Sequence, residues 1–149
     1  MVKKNKVFYL NKFREYQAES IINSPFFDQG INTLKNIPLK KHFLEPGFIQ
    51  NITSQAVNYS FWLDKLKIIS IKKAFLNKFK KLYPSLSFRN KIYGLTHIII
   101  AQSDYYQQFV NPKQYSWVLN QLEKSVNKVI SKNNQDLIAE TGVAFSLSR

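Results

Sequence analysis

The sequence predicts an all-α fold of about six helices, arranged as antiparallel helical hairpins in a single domain of residues 1–149. Apolar residues recur mainly with the 3.6-residue period of an α-helix, and clean alternation over five or more residues is hard to find. Glycine and proline are scarce, with 4 and 5 residues, so the helices are expected to be long. Short connections of about 2–5 residues between predicted helices favour antiparallel neighbours.

Length and composition limit the class of protein. With 149 residues, 44% hydrophobic and 15% aromatic, the chain can bury the core of one globular domain. It has no cysteine, which excludes a disulfide framework, a thiol nucleophile and cysteine-ligated metals. The basic N-terminus holds an apolar run from Val7 to Leu10 only, too short for a secretory signal, and no run approaches the length of a membrane span. A cytoplasmic protein without a membrane span is therefore expected.

The N-terminal half contains three predicted helices and one irregular connection. The helices are expected at residues 7–22, 48–65 and 67–82. The connection, 24–47, holds three prolines and two glycines, and a short helix near 31–36 is predicted within it. Pro84 is expected to stop the third helix. No helix-breaking residue lies between Asp64 and Ile68, so the second and third helices can also be read as one long rod.

The C-terminal half contains three predicted helices with recognisable starts. They are expected at residues 88–108, 112–132 and 137–147. Ser87 is the predicted N-cap of the first, Asn111 with Pro112 starts the second, and Asp136 is the predicted N-cap of the last. The last helix is apolar around most of its circumference. This predicts either a central position or cover by a partner.

The stretch GLTHIIIAQSDYYQQF, residues 94–109, carries a candidate site. On a helix, Gly94, His97, Ala101 and Asp104 share one face, where the small residues leave room and the polar ones offer proton-transfer or ligand chemistry. The alternative is that His97 is a core histidine bonded to a neighbouring helix and that Asp104 is exposed at the helix end. The two lie about 10 Å apart along the axis and cannot touch.

Glu140 lies in the mostly apolar context LIAETGVAF, where a lone carboxylate is costly unless it is paired. In an up-down-up array its helix runs parallel to that of His97, so the two side chains can pair. The prediction is a small-molecule pocket with His97 as acid or base, Glu140 as its orienting partner and Asp104 as a further catalytic candidate. The predicted substrate contacts are Tyr105, Tyr106 and Asn90. The alternative for Glu140 is a bond to backbone amides, or to a lysine or tyrosine, at a seam between helices.

Neither a cofactor nor a metal is predicted. The two histidines, His42 and His97, lack the spacing of a metal site. The chain also lacks a glycine-rich phosphate loop and the nucleophile elbow of a serine hydrolase. The absence of these motifs excludes most common enzyme classes.

The net charge of +13 supports a second hypothesis, a module that binds nucleic acid or another polyanion through the helix at 65–82. Residues 65–91 hold nine basic residues and no acidic one. The lysines expected to share one polar arc are Lys67, Lys73, Lys78, Lys80 and Lys81. The alternative is a solvated helix face, because the 22 basic residues are 19 Lys and only 3 Arg. Abundant Lys, Asn and Ile are also what an AT-rich genome supplies.

Three short patterns stand out in the C-terminal half: Gly94-Leu95-Thr96-His97, Ser103 with Tyr105-Tyr106, and Ala139-Glu140 with Gly142. With these patterns the last 60 or so residues resemble an uncharacterised bacterial helical family, a domain of unknown function. The resemblance implies the hairpin layout of incomplete α/α toroids, whose inner helices carry pocket residues, and implies no known reaction. A third hypothesis is a structural or interaction protein that forms a homo-oligomer or docks a partner on residues 137–147.

Overall fold

The computed structural model describes residues 39–148. The chain divides into two units, Met1–Leu39 and Lys40–Arg149, and the structural statements below concern the second. The predicted helices at 7–22 and near 31–36 lie outside the described residues. The assignment of a single domain stays a prediction.

Within the described residues the fold is all-α, with seven α-helices and no strand. The helices are α1 (Leu39–Phe43), α2 (Pro46–Asn51), α3 (Thr53–Lys65), α4 (Lys72–Leu82), α5 (Phe88–Gln102), α6 (Ser116–Ser131) and α7 (Gln135–Leu147). A 3-10 turn, Tyr83–Ser85, follows α4. The predicted all-α class is confirmed.

The long helices alternate in direction around α5. Helices α4 and α6 run antiparallel to α5, because residues early in each contact the end of α5 and later residues contact its beginning. The contacts that define these directions are Lys72–Gln102, Phe79–Gly94, Tyr115–Gln102 and Lys128–Phe88. The predicted antiparallel hairpins are therefore present.

Helices α3 and α7 run parallel to α5 and flank it. Contacts between α3 and α5 advance together along both helices, from Asn58–His97 to Lys65–Asp104. Those between α7 and α5 advance in the same way. Helices α3 and α7 both pack closely on α5. The face of α5 that carries His97 therefore lies between α3 and α7.

The core is built on α5, whose Ile92, Leu95, Ile98 and Ile99 are fully buried. Gly94 allows α4 to approach closely. A Cβ placed on this glycine would lie 2.5 Å from the ring of Phe79. The glycine therefore accommodates a buried ring against the backbone of α5.

The predicted helices 48–65 and 67–82 have different bounds in the structure. The first is two helices, α2 and α3, because Ile52 takes φ −133° and ψ 48°. The predicted helix 67–82 begins later, at Lys72. The two predicted helices are not one rod, because Lys67 between them takes a left-handed φ of 56°. Asp64 stabilises the new start, because its Oδ1 accepts bonds from the backbone N–H groups of Ile71 and Lys72 at 3.1 and 3.3 Å.

The predicted helix 88–108 ends early, at Gln102. The residues with positive φ that follow are Asp104 (54°), Tyr105 (53°) and Tyr106 (76°). Such angles cost roughly 1–2 kcal/mol per non-glycine residue. Ser103 supports the turn, because its fully buried hydroxyl accepts a bond from a backbone N–H in it at 3.0 Å.

The remaining helix starts also differ from those expected. Ser87 caps α5 as predicted. Asn111 and Pro112 begin a turn instead of a helix, and α6 starts at Ser116. Asn134, not Asp136, caps α7 by accepting bonds from two backbone N–H groups at 3.1 Å.

The described part of the predicted irregular connection 24–47 is partly helical. It contains α1 and the first residues of α2. Pro46 occupies the first turn of α2, where the missing N–H has no consequence. The rings of Phe43 and Phe48 meet edge to face, with centroids 5.0 Å apart, and join the two short helices.

Candidate functional site

His97 lies between α3 and α7 and contacts a residue on each of them. Its Nδ1 is 3.1 Å from Oδ1 of Asn58 on α3, and its Nε2 is 3.6 Å from Oε1 of Glu140 on α7. The His97 side chain is 20% exposed and that of Glu140 is 23% exposed. The expected pairing of imidazole and carboxylate is therefore observed, at the edge of the core and open to solvent.

Asn58 suits its place beside the imidazole. A neutral imidazole carries one donor and one acceptor nitrogen, and an asparagine amide can turn either its oxygen or its nitrogen toward a neighbour. In the observed arrangement Oδ1 of Asn58 faces Nδ1, so Nδ1–H is the donor of this bond and Asn58 is its acceptor. Asn58 thus fixes the orientation of the imidazole ring from the α3 side.

Glu140 is held by two neighbouring residues of α5. Its Oε2 accepts a bond from the hydroxyl of fully buried Thr96 at 2.7 Å. The 3.6 Å between Oε1 and the imidazole of His97 is too long for a direct hydrogen bond. Oε1 therefore keeps the capacity to accept a further hydrogen bond.

Tyr93 closes one end of this polar cluster. It precedes His97 by one helical turn, and the two ring centroids are 6.4 Å apart. Its hydroxyl donates to Oδ2 of Asp136 on α7. This bond, with some burial, raises the pKa of the Tyr93 phenol, while Arg89, 5.3 Å from the ring centre, opposes the shift. The neutral phenol is thereby favoured as a donor.

The predicted stripe on α5 does not form one site. Gly94 packs against Phe79 and so leaves no space for a ligand there. Asn90 donates to the backbone carbonyl of Gln50 at 2.6 Å and ties α5 to α2. Asp104 forms an ion pair with Lys65, beyond the end of α5. As expected, Asp104 is not paired with His97.

The two predicted tyrosines lie in the turn after α5. Tyr105 accepts a bond at 2.6 Å from the indole N–H of Trp62 on α3, and the ring centroids are 5.7 Å apart in an edge-to-face arrangement. Tyr106 is 47% exposed. Like Asp104, both tyrosines follow the C-terminal end of α5, whereas His97 lies within that helix.

Sequence reasoning missed Asn58, Thr96 and Trp62. Asn58 follows buried Val57 and precedes buried Ser60 and Phe61 on α3. A polar residue this close to the inward face of a helix is the signal that would have singled it out. Thr96 stands inside the quoted pattern next to His97, but its partner on α7 is 44 positions away and is visible only in the fold.

The predicted polyanion-binding lysines are divided by the structure. Lys73, Lys78, Lys80 and Lys81 lie on α4, whereas Lys67 lies before it in the left-handed position, so the five do not share one helical arc. Lys72 has a packing role. Its amine donates to Gln102 at 2.6 Å, and burial lowers its pKa while Asp64 opposes the shift.

The last helix is partly buried and partly exposed. Leu137, Thr141 and Ala144 are buried, and Phe145 packs against the core. Ile138, 36% exposed, is a large apolar side chain of this helix in contact with solvent. The docking of a partner on residues 137–147 stays a prediction.

Residues 39–148 contain neither a metal cluster nor a membrane span. No three histidine or acidic side chains in this range are grouped so that they could hold a metal ion. None of its helices has both the length and the apolar character needed to cross a membrane.

The fold and the side-chain cluster thus define an all-α domain in which a His–Glu pair lies between parallel helices. A family model described as "Domain of unknown function (DUF3541)" matches residues 12–149, and the chain belongs to this family. The resemblance to an uncharacterised domain family is confirmed, over more of the chain than the C-terminal patterns indicated. No curated protein and no solved structure matches the chain. The likeness to incomplete α/α toroids stays a prediction.

Proposed function

We propose that the chain binds a small polar molecule in the cleft between α3 and α7, and that Glu140 is the group that contacts it. The observation that carries the proposal is the hydrogen bonding of the two Glu140 carboxylate oxygens. Oε2 accepts the bond from Thr96, while Oε1 stands 3.6 Å from Nε2 of His97, which is beyond hydrogen-bond distance. A carboxylate with a fixed position and a free acceptor site suits a ligand hydroxyl or amine.

In this proposal His97 positions Glu140 and does not itself act on the ligand. Its two ring nitrogens face Asn58 and Glu140, so neither points to solvent. A histidine that serves as acid or base needs one nitrogen directed at the reacting group. In this geometry Oε1 of Glu140 has no hydrogen-bond partner and can face a ligand. The proposal therefore gives ligand contact to Glu140 and positioning to His97, which reverses the roles expected from the sequence.

The other predicted contacts enter the proposal unequally. Asn90 is engaged with a backbone carbonyl of α2, so it serves the fold. Asp104, Tyr105 and Tyr106 lie in the turn that follows the C-terminal end of α5. Only a ligand long enough to extend there from Glu140 would contact them.

The test is a binding screen by saturation-transfer difference NMR with small neutral, cationic and anionic molecules, repeated with Glu140→Gln. The variant keeps the shape and the bond from Thr96 but loses the charge. Removing a charge-assisted hydrogen bond costs about 1.5–3 kcal/mol, so affinity should fall roughly 10- to 150-fold. Glu123→Gln, on the exposed surface of α6, is the matched control and should bind as the wild type does. Equal affinity of Glu140→Gln and wild type would contradict the proposal.

A second candidate function, binding of a polyanion, has one specific observation in its favour. Lysines from three helices lie over aromatic rings on neighbouring elements. The pairs are Lys80 over Trp117 (5.4 Å), Lys91 over Tyr83 (5.4 Å) and Lys128 over Phe88 (4.7 Å). Such contacts restrict a flexible amine, so less entropy is lost when it binds a phosphate.

Fluorescence anisotropy with a labelled single-stranded DNA tests this candidate. Affinity should fall steeply with added salt, and the pair Lys80→Glu with Lys128→Glu should weaken it at least 10-fold. The pair Lys40→Glu with Lys41→Glu changes the net charge equally on exposed residues of α1 and is the control. Equal weakening by both pairs would show that total charge, and not this surface, attracts DNA.

A further inference from the structure

The ring nitrogen of His97 that faces Glu140 is a hydrogen-bond acceptor. Nδ1 of His97 lies 3.1 Å from Oδ1 of Asn58, and because an amide oxygen only accepts, the ring proton is on Nδ1. A neutral imidazole carries one such proton, so Nε2 holds a lone pair. Nε2 lies 3.6 Å from Oε1 of Glu140, which is an acceptor as well. Two acceptors therefore face each other without a hydrogen between them.

Both acceptors are fixed in place and in contact with solvent. Asn58 holds His97 from α3, and Thr96 donates to the other carboxylate oxygen of Glu140 at 2.7 Å. Among residues 39–148, no side-chain nitrogen or oxygen is both buried and without a hydrogen bond. Because Nε2 and Oε1 have no hydrogen-bond partner in this range, solvent reaches each of them from the side. A small donor can therefore lie next to both atoms.

The spacing of the two acceptors selects the kind of donor. A donor lies about 2.9 Å from its acceptor, so one atom can bond to two acceptors that are 3.6 Å apart. A hydroxyl group has one hydrogen and satisfies only one of them. A guanidinium group pairs with both oxygens of one carboxylate, but Oε2 of Glu140 is already bonded to Thr96. A primary ammonium group carries three hydrogens on one nitrogen and can donate to both acceptors at once.

The charges near the pair also favour a cation. Glu140 is itself an anion, and Asp136 lies one turn before it on α7. The net charge of +13 opposes a cation mainly over long distances, and charges more than about 8 Å apart are largely screened at physiological ionic strength. The lysines and the arginine of α3 and α5 are engaged with other groups, in the pairs Lys65–Asp104, Arg89–Tyr93 and Lys91–Pro84.

We propose that the ligand of this site carries a primary ammonium group, which donates one hydrogen bond to Oε1 of Glu140 and a second to Nε2 of His97. This inference rests on the proposed function and adds the imidazole to the carboxylate as a contact of the ligand. The remaining hydrogen and the carbon substituent of the ammonium group point away from the two acceptors. The site therefore recognises the amine end of a molecule and leaves its other end unrestricted.

The experiment titrates the full isotope-labelled chain with propylammonium chloride and follows the backbone amides of α5 and α7 by NMR. Two comparison probes are trimethylpropylammonium, which has the charge but no hydrogen on nitrogen, and 1-propanol, which has one donor and no charge. At about pH 8 a primary amine is charged and an imidazole is ordinarily neutral. Propylammonium should bind saturably with a Kd of roughly millimolar strength, and each comparison probe should bind at least 10-fold more weakly.

Three variants separate this inference from the proposed function. Glu140→Gln and His97→Phe should each weaken propylammonium binding at least 10-fold, whereas Glu123→Gln on the exposed surface of α6 should bind as the wild type does. A loss in Glu140→Gln without a loss in His97→Phe overturns the inference and leaves the proposed function standing. Equal binding of 1-propanol and propylammonium, with loss in Glu140→Gln, has the same meaning. Binding that persists in Glu140→Gln overturns the proposed function, and no binding of propylammonium overturns the inference alone.

The hydrogens on the His97 ring can be observed in the wild type, so the inference stays testable if His97→Phe does not fold. Long-range proton–nitrogen correlation spectra distinguish ring nitrogens with and without a hydrogen. At about pH 8 the free chain should show Nδ1–H and a bare Nε2, and propylammonium should shift the Nε2 resonance. A hydrogen on Nε2 in the free chain would overturn the inference, because the imidazole and the carboxylate would then need no donor from a ligand.

Discussion

Replacement of Gly94 by alanine tests the packing that places α5 at the centre of the fold. The added Cβ would lie 2.5 Å from two ring atoms of Phe79 and 2.9 Å from Cγ2 of Thr53. Phe79 is fully buried and Thr53 is 3% exposed, so neither can move aside freely. Overpacking costs about 1–3 kcal/mol, and contacts this short belong in the upper half of that range. The helical preference of alanine over glycine returns about 1 kcal/mol.

The expected net result for Gly94→Ala is a loss of about 1–2 kcal/mol in the free energy of unfolding, or roughly 3–6 °C in Tm. Urea unfolding at constant m value measures it. Gly142→Ala is the matched control, because Gly142 also lies inside a helix but has no atom within 4 Å of the position that an alanine methyl group would take. It should gain about 0.5–1 kcal/mol. A Gly94→Ala protein as stable as the wild type would refute the close approach of α4 and α5.

Three further substitutions have defined outcomes. Thr96→Val keeps the shape but removes the hydroxyl that donates to Glu140, and urea unfolding should show a loss of about 1–2 kcal/mol; no loss would contradict this bond. Asp64→Ala removes the acceptor at the start of α4 and should cost about 1 kcal/mol, whereas an unchanged midpoint would argue against the cap. Burial raises the pKa of Tyr83 above 10.0, although a bond with Ser125 opposes the shift. The stability that the raised pKa contributes is therefore present below about pH 10 and is lost as the pH rises through the folded-state pKa of Tyr83. Tyr83→Phe should therefore lose less stability than the wild type between about pH 8 and pH 11, and parallel pH profiles would contradict the assignment.

Local sequence signals predicted the parts of the fold that depend on local chemistry. Helical periodicity identified the all-α class, and Ser87 caps α5 as expected. The bounds that were wrong depend on distant or backbone features. Asp64 caps α4 from the preceding helix. The turn at Asp104–Tyr106 takes left-handed backbone angles although it contains no glycine that would have predicted them.

The candidate site was predictable in part for the same reason. An apolar context made Glu140 stand out, and the alternation of helix directions brought it to His97 as expected. Asn58 and Thr96 were missed because each is an ordinary helical residue until its partner is known. Contacts that span about 40 positions are a property of the packed helices and leave no local trace.

The most direct test of the central claim is a double-mutant cycle on unfolding with His97→Ala and Glu140→Ala. The claim is that imidazole and carboxylate, 43 positions apart in the chain, face one another across α5 and α7. The predicted coupling free energy is favourable and at least about 0.5 kcal/mol. Losses that add within about 0.3 kcal/mol would contradict the claim, because residues in contact do not behave independently.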